Sequence, residues 1–268
     1  MKQRLSLLHD NMMKKIIQYL YTQDQKIFGE LKYTHTPFEA YKKHFHTHFG
    51  VALIDKGHLE ITYDKDTTRY LDHQSIAIFN PQQIHRTKVV DAQGYYVLFL
   101  DKQWCQREHE HFYISESIIK EKDWYQAFKT LFDTILIPNH SVVESEVSEM
   151  IQDFFQKYGT LHTPKESNII THIKSIIVGN SDTSFSVEQL AKEIGHDKSY
   201  LIRLFKKEVG MTPQQYILNT KVNRAKDLMT YTKGDSLSTI SVDAGFFDQS
   251  HLNRNFKGLF GTSPKLYK

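Results

Sequence analysis

One cysteine, Cys105, stands in 268 residues. A lone thiol forms no intrachain disulfide, so the chain is not a disulfide-stapled secreted scaffold and suits a reducing cytoplasm. Single cysteines are more often small buried hydrophobes than redox sensors. No apolar run approaches the length of a membrane span. The stretch from Met1 to Leu20 is broken by Lys, His, Asp and Gln and does not read as a signal peptide. No charge sign dominates either: 34 Lys and Arg face 31 Asp and Glu, a net of +3, so the chain as a whole is no polycation. At 40% apolar and 24% charged residues it is globular rather than disordered. Its length allows two domains.

The charge is unevenly placed. From Lys165 to Lys268 there are 15 Lys and Arg against 10 Asp and Glu, whereas the rest carries 19 against 21. In that basic stretch the sequence repeats itself. Arg203, Phe205, Lys206, Gly210 and Pro213 recur as Arg254, Phe256, Lys257, Gly261 and Pro264, each 51 residues on, and Leu201 recurs as Leu252. A short helical pattern ending in glycine precedes each copy: Leu190, Ala191 and Ile194 before Gly195, then Ile240 and Ala244 before Gly245. A short helix, a glycine turn and a basic second helix build a helix-turn-helix unit that reads the major groove.

The first unit opens at Ser186 with Gln189 as capping-box partner, and its second helix is expected from Lys198 to Val209. Thr212 and Pro213 start a third helix whose Leu218, Val222, Ala225 and Met229 form an apolar stripe. Roughly 18 residues of it span about 27 Å, near the one-turn spacing that sets two reading helices in successive grooves. In the second unit Asp248 caps a helix from Gln249 to Leu259, after a turn longer by one residue.

Residues 28–112 carry a different pattern. Val51 to Ile54, Leu59 to Tyr63, Ser75 to Phe79 and Tyr95 to Leu100 are short β-rich runs divided by turn signals such as Asp55-Lys-Gly57 and Asn80-Pro81. They predict a small barrel or sandwich. Up to Tyr158 the period then becomes helical. Trp124, Phe128, Leu131, Phe132 and Ile135 form one stripe, and Val143, Val147, Met150, Ile151, Phe154 and Phe155 another. Pro138-Asn139 separates them, and residues 159–164 read as a linker.

Eight of the 15 histidines lie between His44 and His111. In His44-Phe-His46-Thr-His48 alternate rings share one face of a strand, and His85 arrives from elsewhere. Such a group lines a small-molecule pocket, or holds a metal, or consists of satisfied core and surface histidines.

The segments from Ser186 to Gly195 and from Ser199 to Pro213 closely resemble the AraC/XylS transcription regulators. The likeness continues through Ala225-Lys-Asp-Leu228, Ala244-Gly-Phe-Phe-Asp-Gln-Ser250 and Phe256 to Pro264. It implies two helix-turn-helix units joined by a long helix. Positions matching the family's base-contacting sites are Ser199, Ile202 and Arg203 in the first unit, and Gln249, Ser250, Asn253 and Arg254 in the second. Gln and Asn pair with adenine and Arg with guanine, while Ile202, where the family often has a polar residue, suits a thymine methyl. Lys206 and Lys257 are expected on phosphate. Ser241 and Ala244 replace the family's usual alanine and valine.

The stretch around His44, with Gly57 and the element from Asn80-Pro81 to His85, resembles the cupin-type effector domain of many such regulators. Metal-dependent cupins add a glutamate shortly after the His pair, and Gly50 occupies that place here. No metal or cofactor is therefore assigned, and His44, His46, His48 and His85 are taken as effector-binding.

The expectation is an α+β chain. Residues 1–27 form an N-terminal segment, 28–112 a small cupin-like β-barrel for the effector, 113–164 a helical dimerisation and linker region, and 165–268 an all-α DNA-binding domain with two helix-turn-helix units. Such a chain is a bacterial cytoplasmic regulator and not an enzyme. Its partners are double-stranded promoter DNA, a small-molecule effector, a second copy in a homodimer and RNA polymerase, with no membrane. The competing reading is a cupin enzyme or metal-binding protein with an accessory helical domain, which explains the histidines but leaves the duplication idle. A third is a regulator with no ligand, controlled by its amount alone.

Overall fold

The computed structural model describes residues 15–37, 39–64, 66–138, 142–161, 166–180, 185–232 and 234–267. Residues 1–14 of the N-terminal segment, Asn139 of the break between the middle helices and residues 162–164 of the expected linker lie outside the described residues. The strands are β1 (Lys15–Tyr21), β2 (Ile27–Thr34), β3 (Phe49–Lys56), β4 (His58–Tyr63), β5 (Thr67–Asp72), β6 (Ile76–Phe79), β7 (His85–Val89), β8 (Gln93–Leu100), β9 (Tyr113–Ile114), β10 (Ile118–Ile119) and β11 (Gly159–Thr160). The helices are α1 (Lys102–Glu108), α2 (Lys122–Ile135), α3 (Glu144–Tyr158), α4 (Asn168–Gly179), α5 (Val187–Ile194), α6 (Lys198–Val209), α7 (Pro213–Tyr231), α8 (Leu237–Asp243), α9 (Gln249–Phe260) and α10 (Pro264–Tyr267). Among the described residues no helix is long and apolar enough to cross a membrane.

Two antiparallel sheets face each other, one in the order β1-β2-β8-β3-β6-β10 and the other β5-β4-β7. The unbroken apolar run of β8 follows from burial on both faces. Tyr96, Leu98 and Leu100 join the cluster under α2 and α3, while Val97 and Phe99 join the one between the sheets. Among the described residues the sheets do not close into the expected barrel. The chain leaves the large sheet at Gly57, whose left-handed φ of 77° turns β3 into β4, and no ladder then joins the small sheet back to the large one. A Cβ at Gly57 would sit 2.4 Å from the Asp91 carbonyl oxygen.

The middle helices are amphipathic, and their apolar faces are covered. Phe128, Phe132 and Ile135 of α2 and Val147, Ile151, Phe154 and Phe155 of α3 pack in one cluster with Leu31, Val51 and Leu98 of the large sheet. Most of the stripes expected to meet a second copy pack on the chain's own sheet, while Val143 stays exposed. Cys105 is fully buried, and burial pushes its thiol well above the ordinary range.

In the C-terminal half the local signals act as expected. Ser186 and Gln189 form a capping box on α5, Asp197 caps α6, Thr212 and Gln215 box α7 behind Pro213, and Asp248 caps α9. Gly210 and Gly261 end α6 and α9 in the left-handed conformation. Connector α7 serves two cores: Tyr216 and Ile217 pack with α4, α5 and α6, and Val222, Ala225 and Met229 with α8 and α9. Ser241 is fully buried, but its hydroxyl donates to the Leu237 carbonyl at 2.6 Å, so the polar core choice is satisfied.

Candidate nucleic-acid interface and histidine cavity

Helices α6 and α9 each turn one face to solvent. Ser199, Arg203 and Lys206 are exposed on α6, with Ile202 half-buried beside them. On α9 Gln249, Ser250, Arg254 and Lys257 are exposed and Asn253 is half-buried. All nine residues singled out from sequence thus lie on the two second helices. Connector α7 has 19 residues, about 28 Å at 1.5 Å per residue. Sequence reasoning passed over Phe247, which is 86% exposed in the turn before α9.

The carbonyl ends of both of these helices rest on the sheet half. Lys43 Nζ donates to Gly210 O at the end of α6 (2.9 Å). At the end of α9, Lys42 N donates to Gly258 O (3.0 Å) and Lys32 Nζ to Phe260 O (2.9 Å). Donors, and cations above all, are favourable at these partly negative helix ends.

Connector α7 adds a second tie. Phe45 N donates to Asn219 Oδ1 (2.8 Å), and Asn219 Nδ2 and Asn223 Nδ2 both donate to Phe45 O (3.1 Å each). The Phe45 ring stacks on Tyr216 with centroids 4.6 Å apart. Lys226 pairs with Glu30 of β2 at 3.3 Å, both buried, and the Tyr267 hydroxyl donates to the same carboxylate. Asn219, Asn223 and Lys226 follow the i, i+4, i+7 rule of one helix face. That polar stripe was readable, but sequence reasoning took only the apolar stripe beside it.

The histidine run lies on the inner side of this seam. His44 pairs with His85 of β7 through two backbone hydrogen bonds of 2.8 Å, one in each direction. In extended chain successive side chains point to opposite sides. His44 and His46 therefore face inward while Phe45 turns to α7. Ring centroids are 4.3 Å apart for His44 and His85, 4.7 Å for His44 and His46, and 5.1 Å for His46 and His85. The His44 Nδ1–H donates to Lys42 O (2.7 Å) and the His85 Nδ1–H to Gln83 O (3.1 Å). A carbonyl only accepts, so each ring keeps its lone pair on Nε2. Burial lowers the His44 pKa to about 4 and holds His46 and His85 well below the ordinary imidazole value.

His48 stands apart from the other three. Its Nε2 is 3.7 Å from Asp227 Oδ1 and its Nδ1 3.8 Å from Asp101 Oδ2, beyond hydrogen-bonding range. Burial lowers it to about 3 and lifts Asp227 to about 6. The three inward histidines, Lys32 and Phe99 line a narrow cavity that Leu259 and Phe260 of α9 close. As closed here it holds roughly one water-sized body. At Gly50, in place of the glutamate, a Cβ would meet Phe79 at 3.2 Å and Phe99 at 3.3 Å, so a side chain there requires these rings to give way by a few tenths of an ångström.

Among known proteins, residues 30–155 match a family profile described as an AraC-like ligand binding domain, and residues 190–268 one described as a helix-turn-helix domain. Over 112 residues the chain is 33% identical to the HTH-type transcriptional activator AarP of Providencia stuartii, a match covering 41% of this chain and 82% of that protein. Over 135 residues it is 27% identical to the Msm operon regulatory protein of Streptococcus mutans, covering 48% of each, so it spans about half the length of that relative. Its fold is similar to the crystal structure of ToxT from Vibrio cholerae at a TM-score of 0.59, with 12% identity over 96% of this chain and 97% of that chain. ToxT has also been solved with an unsaturated fatty acid bound.

Proposed function

Because the chain belongs to the AraC family of transcription regulators, with a ligand-binding domain and a helix-turn-helix DNA-binding domain, we propose that α6 and α9 enter successive major grooves of promoter DNA and that a small molecule in the histidine cavity resets how they are held. One observation carries this reading. Lys32, Lys42 and Lys43 hold the carbonyl ends of both reading helices, and Leu259 and Phe260 of α9 close the cavity. An effector larger than water has to push back this lining, and where it moves Leu259 and Phe260 it couples cavity occupancy to the placement of α9. Burial lowers the Lys32 amine to about 8, and an amine at the cavity wall suits an effector carrying a carboxylate.

In this reading Ser199, Ile202, Arg203, Gln249, Ser250, Asn253 and Arg254 contact bases, and Lys206 and Lys257 contact phosphate. His44, His46 and His85 meet the effector, whereas His48 acts from outside the cavity. Residues 28–112 serve the effector and 165–268 the DNA, in the cytoplasm, with no catalytic step. Helices α2 and α3, within 113–164, buttress the sheet. A homodimer and a contact with RNA polymerase complete the proposal, and pairing of copies would use the outward polar faces of those helices. Genome-wide mapping of bound sites followed by footprinting tests the core of it. Two unlike protected blocks centred about one helical turn apart are expected on a single chain. Protection of one block only would refute reading by both helices.

A further inference from the structure

We propose that His44, His46 and His85 form a binding site for a divalent transition metal, zinc by default, with its open coordination position facing the cavity. The proposal rests on the histidine cavity being a ligand site and not on the DNA-reading assignment.

Geometry carries it. All three histidines are buried, and their candidate ligand nitrogens lie within 4.8 Å of one another. A tetrahedral ion with Zn–N bonds of about 2.0–2.1 Å sets its nitrogens about 3.3 Å apart. His44 Nε2 and His46 Nε2 are already 3.1 Å apart, so closing the wider gaps, which are at most 4.8 Å, by up to about 1.5 Å completes the set. The Nδ1–H groups of His44 and His85 are anchored on the backbone carbonyls of Lys42 and Gln83. Such outer hydrogen bonds fix the tautomer and orientation of a metal-bound imidazole. The rings are neutral, the form that coordinates.

The donor set selects the ion. Three imidazoles and no carboxylate suit zinc, cobalt, nickel or copper and disfavour magnesium and calcium, which require oxygen ligands. The cavity is ion-sized as closed. Two cations stand near: Lys226 is paired with Glu30, and Lys32 gives its amine to Phe260 O. A metal dication beside them calls for an anion in its open position, so the site favours hydroxide or an effector that coordinates through a carboxylate oxygen. The site lacks the glutamate that metal-dependent cupins add, which leaves three protein ligands and an open position.

The test uses the full chain, stripped by chelation and titrated with Co²⁺ alone. One equivalent is expected, with the visible absorption of a nitrogen-bound, four- or five-coordinate cobalt ion that Zn²⁺ then displaces. His46→Ala and His85→Ala should each weaken binding by more than the roughly 100-fold that loss of an outer-shell partner costs, and His48→Ala should leave it unchanged. His85→Phe keeps a ring stacked on Phe79, 4.2 Å away by centroid, and serves if an alanine variant fails to fold. No uptake by the wild-type chain, or undiminished uptake by His46→Ala and His85→Phe, would overturn the site. Affinity for mapped promoter DNA, measured on the same samples, separates the two readings. Intact DNA binding without metal uptake overturns only the metal site, and uptake without specific DNA binding supports the site while refuting the DNA reading.

Discussion

Asn219→Ala probes the tie between the cavity and the DNA-binding half. The Asn219 carboxamide serves both polar groups of the Phe45 peptide, accepting from N at 2.8 Å and donating to O at 3.1 Å, while Asn223 Nδ2 donates to the same oxygen at 3.1 Å. Removing Asn219 leaves a buried N–H without an acceptor, which costs about 1–3 kcal/mol. Removing Asn223 alone leaves the oxygen served by Asn219, so the cost is nearer the net worth of one hydrogen bond, about 0.5–1.5 kcal/mol. The double variant orphans both groups and should exceed the sum of the singles by about 1 kcal/mol. Urea unfolding followed by far-UV circular dichroism gives the cycle. Hydrogen exchange in peptides spanning Phe45 gives the local term, with its amide expected to exchange about 5–150-fold faster in Asn219→Ala. Single costs below about 0.5 kcal/mol that add within the same margin, with Phe45 still protected, would refute the tie.

Three further outcomes follow from the same geometry. Arg203→Ala and Arg254→Ala should each cost about 1–3 kcal/mol on a mapped site and relax preference at one position, and unchanged affinity for both in fluorescence anisotropy would refute the assigned orientation. Lys206→Ala and Lys257→Ala should weaken all sequences evenly and reduce the salt slope by about one each, whereas altered sequence preference would refute phosphate contact. The His44 pKa falls from 6.5 to about 4 on folding, so the unfolded chain binds more protons between those values. Stability should therefore be full above about pH 6.5 and decline as pH falls toward 4, with His44 alone contributing about 3 kcal/mol. Urea midpoints that stay flat from pH 7 to 4.5 would refute neutral burial of the ring.

Legibility differed between the halves for a physical reason. Helix starts and stops in the C-terminal half depend on residues within four positions of each other, such as Ser186 with Gln189 or Thr212 with Pro213, so the chain states them locally. β3, β4, β6 and β8 were legible because apolar residues crowd both faces or alternate cleanly. β2 and β7 were not, since Glu30, Lys32, His85 and Thr87 are polar yet buried. Glu30 and Lys32 find Lys226 and Phe260 more than a hundred residues away, while His85 pairs with His44 across the intervening strands, and no local pattern announces either pairing. The same distance hid the partner of Phe45 and the separation of His48 from the other histidines.

The two copies of the repeat differ where they meet the sheet half. Gly258 stands where the first copy has Lys207, 51 residues earlier. Lys207 is exposed, but a Cβ at Gly258 would lie 3.1 Å from the Lys42 side chain, and its carbonyl accepts from Lys42 N. The symmetry of the repeat is thus broken where the second unit settles on the sheets. That unit also supplies Leu259 and Phe260 to the cavity and Tyr267 to Glu30, whereas the first unit meets the sheet half through Lys43 at its helix end and through the apolar contacts of Phe45 and Ile84, away from the cavity. Packed contacts of this kind switch between arrangements rather than stretch. Filling the cavity should therefore change the half-site read by α9 before the one read by α6. Footprints at rising effector or Zn²⁺ concentration should show the α9 block responding first. Equal response of both blocks would mean that the halves move as one body and that the second unit has no privileged link to the cavity.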